Sequence, residues 1–149
     1  MTAALLDTNV LIALLDPSHA FHTMVTQWFS QHSADGWATC PITQNGFVRI
    51  VSHHSYPQSI AIHTALSILR KACDHNFHHF WSDDIGLADQ CFFDHSHLLT
   101  SGQVTDTYLL GLAKEHGAHF VTLDRRVDVL TVRNASASSL QVLDPHIVG

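Results

Sequence analysis

The alternation of short apolar segments with longer amphipathic segments is the feature that most limits how this chain can fold. The first short segment is apolar throughout, as expected of a strand that is covered on both faces. Strands are predicted at residues 3–6, 36–40, 79–81, 119–123, 129–132 and 140–143. The longer segments carry apolar residues at helical spacing, which predicts a helix that ends at residue 15 and others at residues 19–31, 43–53, 59–73, 85–92 and 104–116. This alternation indicates an α/β protein with a parallel sheet between two layers of helices.

Cap residues mark the ends of several predicted helices. Thr8 or Asn9 is expected to cap the first helix, and Ser59 the helix that follows it at residues 59–73. Gly117 is expected to end the helix at residues 104–116. The stripe expected to face the core in the helix after Ser59 consists of Ile62, Leu66, Leu69 and Cys73.

Length and composition predict one ordered globular domain over residues 1–149. Hydrophobic residues make up 46% of the chain and charged residues 13%, without the polar bias of disordered proteins. The three cysteines, Cys40, Cys73 and Cys91, are far apart and predict buried free thiols in a reducing compartment. No apolar segment reaches the length of a signal peptide core or a membrane span. The protein is therefore expected to lie in the cytoplasm and not to associate with a membrane.

The net charge of −6 argues against a protein that passively coats nucleic acid. The negative net charge is still compatible with an enzyme that contacts nucleic acid only briefly. Four basic residues fall close together and can meet a phosphate backbone; they are Lys114, Arg125, Arg126 and Arg133.

Three aspartates are predicted to converge at one edge of the sheet. Asp7 directly follows the first predicted strand, and Asp124 follows the strand at residues 119–123. Asp106 begins the helix that leads into that strand, and in open parallel sheets the active crevice lies beyond the carboxyl ends of the strands. Each aspartate by itself is equally compatible with a helix N-cap. Three converging carboxylates need protons or a cation, and oxygen ligands suit Mg²⁺ or Mn²⁺, so the pattern favours phosphodiester hydrolysis.

The chain resembles PIN-domain ribonucleases and, among them, the VapC toxins of bacterial toxin–antitoxin pairs. The resemblance rests on three stretches in the same order and spacing: LLDTNVLIALLD, CPITQNGFVRI and GQVTDTYLLGLAKEHGAHFVTLDRR. It implies a three-layer α/β/α sandwich with a short parallel sheet and Mg²⁺- or Mn²⁺-dependent cleavage of RNA. It also implies an antitoxin partner and a homodimer. By resemblance Asp7, Asp106 and Asp124 are the metal-binding acids, with supporting roles for Thr8, Asn9 and Thr122.

Gln44 departs from the family pattern, which has a glutamate at this position. A glutamine carbonyl can still accept a hydrogen bond or bind a metal, but the site loses one negative charge. The neighbouring Asn45 has the same limit, and the only glutamate of the chain is Glu115. Candidates for a compensating carboxylate are Asp83, Asp84, Asp89 and Asp94.

Two other functions compete with the ribonuclease. A catalytically silent RNA-binding module of the same fold would explain Gln44. A haloacid-dehalogenase-like phosphatase usually has a second aspartate two residues after the first, and here that position is Asn9. The histidines near residues 75–79 and 95–97 are expected to be exposed or hydrogen-bonded rather than metal ligands.

Overall fold

A five-stranded parallel sheet forms the centre of the protein in the computed structural model, which describes residues 2–144. In chain order its strands are β1 (Ala4–Leu6), β2 (Trp37–Thr39), β3 (His78–Phe80), β4 (His119–Thr122) and β5 (Leu140–Val142). Their spatial order is β3-β2-β1-β4-β5. The chain proceeds from β1 in one direction through β2 and β3, and β4 and β5 then form the other half. The order therefore reverses between β1 and β4, and this is where a crevice is expected.

Helices cover both faces of the sheet. They are α1 (Thr8–Leu15), α2 (His22–His32), α3 (Pro41–Val51), α4 (Ile62–Cys73) and α5 (Val104–Glu115). Successive residues of β1 point to opposite faces: Leu6 packs in the core formed with α1 to α4, and Leu5 in the core formed with α5. The expected three-layer α/β/α sandwich is thereby confirmed.

The structure corrects two predicted elements. The predicted strand at residues 129–132 does not form. Val129–Thr131 is a 3₁₀ turn, and Val132 pairs with Phe93 in an isolated antiparallel bridge that does not extend into a strand. Residues 85–92 form turns rather than a helix. The Asp89 side chain accepts from the Cys91 N–H at 2.9 Å, and the Tyr108 hydroxyl donates to the Ile85 carbonyl at 3.0 Å, so local and long-range bonds hold this segment without helical ones.

The cap and the buried face of α4 also differ from the prediction. The helix begins after Ala61, so Ser59 is not its cap. Leu69 is buried and Cys73 packs against the core, as predicted, but Ile62 and Leu66 are 61% and 50% exposed, and Ala65 is fully buried instead. Small side chains let α4 approach the core on the alanine-bearing face, which apolar spacing alone does not reveal.

The end of α5 and the cysteines also bear on the predictions made from the sequence. Gly117 follows α5 with a φ of +65°, the left-handed conformation typical of a glycine that ends a helix. The cysteines are free as predicted, but only Cys40 is buried, whereas Cys73 is partly exposed and Cys91 is exposed. No helix in the described part of the chain has the length and apolar character to cross a bilayer.

Candidate active site

Asp7 lies where β1 ends and α1 begins. Its N–H donates to the Val121 carbonyl at 2.8 Å, which continues the pairing with β4 one residue beyond β1. Its side chain is 6% exposed and accepts from the Thr8 N–H at 2.7 Å. Asp7, not Thr8 or Asn9, is therefore the cap of α1. Burial raises the pKa of the Asp7 carboxyl above its ordinary value, although the hydrogen bonds it accepts oppose this shift.

Thr122, the last residue of β4, is the centre of the hydrogen bonds around Asp7. Its hydroxyl donates to Asp7 Oδ2 at 2.6 Å. The Thr122 hydroxyl oxygen itself accepts from the Asp124 N–H at 3.0 Å and from Asn9 Nδ2 at 3.4 Å. Asn9 Oδ1 in turn accepts from the Leu123 N–H at 3.2 Å. These bonds join the end of β1 to the end of β4, so the positions of Asp7 and Asp124 depend on each other.

Asp106 lies in the first turn of α5 and is partly buried. Burial, together with the nearby charges of Asp7 and Asp124, raises the pKa of its carboxyl to about 6, against a smaller lowering by Arg126. The structure thus brings the three predicted aspartates into one group whose charges interact. Asp106 is the member whose ionisation is opposed most clearly, first by burial and then by the neighbouring charges.

The charge of the Asp124 carboxylate is balanced by the Arg126 guanidinium. Arg126 donates through Nε to Oδ1 and through Nη2 to Oδ2, both at 3.1 Å, and its backbone N–H donates to Oδ1 at 2.9 Å. These bonds lower the pKa of the Asp124 carboxyl. Asp106, Asp124 and Arg126 line one cavity together with Gln103 and other residues of the turn before α5.

Residues 4–132 match the family model described as the PIN domain. This match covers most of the chain and includes all three aspartates. The chain belongs to the PIN-domain family.

Curated relatives place it among the VapC proteins of that family. The chain is 42% identical over 140 residues to Ribonuclease VapC44 of Mycobacterium tuberculosis (strain ATCC 25618 / H37Rv), a match that covers 94% of this chain and 99% of that protein. It is 39% identical over 142 residues to Ribonuclease VapC39 of the same strain, again covering 94% and 99%. Ribonuclease VapC38 of that strain is 39% identical over 128 residues, covering 85% of this chain and 89% of the relative.

The PIN-domain family implies a divalent metal ion, and the chemistry of this group of residues fits one. The donors are carboxylate oxygens, which hard cations prefer. Their mutual repulsion, which adds to burial in raising the pKa of Asp106, is what a cation would relieve. Within residues 2–144, however, no three His, Cys, Asp or Glu side chains are arranged to hold a metal as they stand, the histidine-rich segments included. The pairing of both Asp124 oxygens with Arg126 means that a metal would have to compete for this carboxylate.

Gln44 hydrogen-bonds elsewhere in this PIN domain. Its Nε2 donates to Thr39 Oγ1 at 3.0 Å and to Cys73 Sγ at 3.6 Å, rather than to any of the three aspartates. Thr39 Oγ1 also lies 2.8 Å from His78 Nε2. The amide is thus held between the end of β2 and α4, next to the sheet edge at which Asp7 lies.

The four acids considered as substitutes for the missing glutamate differ in their surroundings. Asp89 and Asp94 accept local backbone hydrogen bonds, and Asp94 also pairs with Arg133. Asp84 is exposed. Asp83 Oδ1 is buried without a hydrogen-bond partner, and the residue lines a cavity that also contains Thr8, Asn45 and Thr105. Of the four, only Asp83 borders residues adjacent in sequence to Asp7 and Asp106.

Arg126 was missed by the sequence analysis as a partner of Asp124. Its basic character marked it only as one of four residues able to meet a phosphate backbone. The signal was present in the spacing, because an arginine two residues after an aspartate can reach back to it across a turn. Periodicity and strand position, on which the site prediction relied, carry no such information.

Proposed function

We propose that this protein is a divalent-metal-dependent endoribonuclease that acts as the toxin of a toxin–antitoxin pair. The observation that carries this proposal is the group formed by Asp7, Asp106 and Asp124 at the point where the strand order reverses. Identity of about two fifths to proteins named ribonucleases, over nearly their whole length, supports the same activity.

The three aspartates would hold Mg²⁺ or Mn²⁺ and thereby supply hydrolytic chemistry, in which the bound ion activates water and stabilises negative charge on the phosphate. Asp7 is suited to be the fixed ligand, because Thr122 and Thr8 hold its carboxylate in place. Asp106 must be ionised to bind a metal, and a cation near it would bring its pKa back down.

RNA is the proposed substrate, and a VapB-like antitoxin protein the proposed partner, by analogy with the named relatives. A homodimer and a cytoplasmic location fit the same assignment. An open reading frame for a small protein directly beside this gene, whose product copurifies with this chain and suppresses RNA cleavage, would support the pairing.

Cleavage of total cellular RNA by the purified protein tests the enzymatic proposal. Cleavage is expected in Mn²⁺ or Mg²⁺ and not in EDTA, and mapping of the new 5′ ends would define the target. Asp7→Asn should abolish it while the protein stays folded, because asparagine can still accept from the Thr8 N–H. A contaminating nuclease would leave cleavage unchanged in this variant.

Gln44 favours one second candidate, a catalytically silent RNA-binding module. It predicts tight RNA binding without cleavage in Mn²⁺ as well as Mg²⁺. The cleavage experiment therefore distinguishes the two candidate functions when RNA binding is measured in the same samples.

We expect Gln44→Glu to increase cleavage at low Mg²⁺. The substitution returns one negative charge to the region beside the aspartates, and Thr39 can rotate its hydroxyl to donate to the new carboxylate. The apparent Mg²⁺ constant should tighten severalfold, measured as initial cleavage rate against Mg²⁺ concentration. The control is Gln44→Met, which fills the same space without the charge; equal Mg²⁺ dependence of all three proteins would place residue 44 outside the reach of the metal.

A further inference from the structure

Arg126 is bound to the carboxylate that a metal would need. Its guanidinium engages both oxygens of Asp124 at 3.1 Å, so no oxygen of this side chain is left without a hydrogen bond. The Arg126 side chain is nevertheless 89% exposed, and its hydrogen bonds within residues 2–144 all go to Asp124. Exposed ion pairs of this kind contribute little stability, so the guanidinium can leave at small cost.

The two neighbouring arginines differ from Arg126 in their partners. Arg125 pairs at 3.1 Å with Asp144, which is 3% exposed. Arg133 donates to the Gln90 carbonyl at 2.7 Å. Both are thus held by groups outside the three-aspartate group. Arg126 is the one of the three that pairs with a member of that group.

The position of Arg126 places its charge at the opening of the crevice. It lines the same cavity as Asp106 and Asp124, and its charge reaches far enough to lower the pKa of Asp106. A guanidinium released at this opening would face whatever enters the crevice. Its flat fork of N–H donors matches the oxygens of a phosphate as well as those of a carboxylate.

We propose that Arg126 neutralises Asp124 in the metal-free protein and, once a divalent cation binds Asp124, turns to bind a backbone phosphate of the RNA strand in the crevice. This inference rests on the proposed function. It makes Arg126 a residue with two exclusive partners, so that metal binding prepares the site for its substrate.

Metal binding without RNA gives the first test. Isothermal titration with Mn²⁺ is expected to show roughly fivefold tighter binding to Arg126→Ala than to the parent, because the metal no longer displaces an ion pair. Arg133→Ala removes the same charge from a site that does not contact Asp124, and should change Mn²⁺ affinity much less. Equal Mn²⁺ affinity of the parent and Arg126→Ala would overturn the proposal.

RNA binding gives the second test, with a readout that a merely structural role would not produce. Binding of a short single-stranded RNA is measured in the Asp106→Asn background, in which cleavage is off but Asp7 and Asp124 remain, at a Mn²⁺ concentration shown by titration to saturate the site. Arg126→Ala should weaken RNA binding about tenfold in Mn²⁺ and reduce the salt dependence by roughly one phosphate contact, a slope of about 0.7 for single strands. In EDTA the same substitution should have little effect, because Arg126 is then held by Asp124.

The outcomes separate this inference from the proposed function. A parent protein that binds Mn²⁺ and cleaves RNA, with an Arg126→Ala effect on RNA binding that is the same in Mn²⁺ and EDTA, overturns the role of Arg126 alone. A folded parent that binds no Mn²⁺ overturns the proposed function and this inference with it.

Discussion

Asp106→Asn is expected to abolish RNA cleavage and, in the absence of metal, to make the protein more stable. The loss of cleavage should be at least about 10²-fold, since a ligand and a charge are removed from the reacting centre. The gain in stability follows from the pKa of Asp106, which is about 6 in the folded protein against an ordinary value of 3.8. Ionised Asp106 is thus less favourable in the folded state than in the unfolded state, and asparagine removes that penalty.

The sign of the pH dependence follows from the same shift. Between pH 4 and pH 6 the folded protein retains a proton on Asp106 that the unfolded chain has released. The free energy of unfolding of the metal-free parent should therefore fall as the pH rises through this interval. Above pH 6 the full cost of ionising Asp106 in the folded protein is present. The shift corresponds to about 3 kcal/mol at 1.36 kcal/mol per pKa unit, and solvent screening of a partly buried group reduces it to about 1–2 kcal/mol at pH 7.5.

Urea unfolding in EDTA at pH 4.5 and pH 7.5 measures this effect. Asp106→Asn should exceed the parent at pH 7.5 and approach it at pH 4.5. Asp124→Asn is the matched control and should lower the free energy of unfolding at pH 7.5. Arg126 lowers the pKa of Asp124, so the ionised form of Asp124 is favoured in the folded state. An Asp106→Asn protein that is less stable than the parent at pH 7.5 would contradict the unfavourable ionisation of Asp106 that burial and the neighbouring carboxylates produce.

Thr122→Val is expected to damage both stability and metal binding although the shape of the side chain hardly changes. The substitution removes the hydroxyl that donates to buried Asp7 at 2.6 Å, and it also leaves the Asp124 N–H without its acceptor. Unpaired buried polar groups of this kind cost about 1–3 kcal/mol. Loss of a group that orients a metal ligand typically lowers metal affinity by about 10- to 100-fold.

Thr122→Ser is the control for this prediction, since it keeps the hydroxyl and loses only the methyl group. The two variants are compared by Mn²⁺ titration and by urea unfolding in EDTA. Serine should retain most of the Mn²⁺ affinity of the parent, and valine should not. If both variants bind Mn²⁺ equally, the hydroxyl does not position Asp7.

The arrangement of the three aspartates could be predicted because it depends on local order along the chain. Each lies at a strand end or a helix start, and parallel strands bring such positions to one edge of the sheet. The surroundings of Gln44 could not be predicted in this way. Its contacts with Thr39 and Cys73 join β2 to α4, so they depend on how α4 packs. The packing of α4 is also where the prediction that Ile62 and Leu66 face the core was wrong.

The sequence by itself determined the alternation of strands and helices, the α/β class and the positions of Asp7, Asp106 and Asp124 relative to their elements, because these follow from local periodicity and from short-range chain geometry. Only the tertiary structure decided that β4 pairs with β1, so that the strand order reverses beside Asp7. It also decided which acids are crowded and which are paired, because burial and charge interactions depend on residues more than a hundred positions apart, such as Asp7 and Thr122.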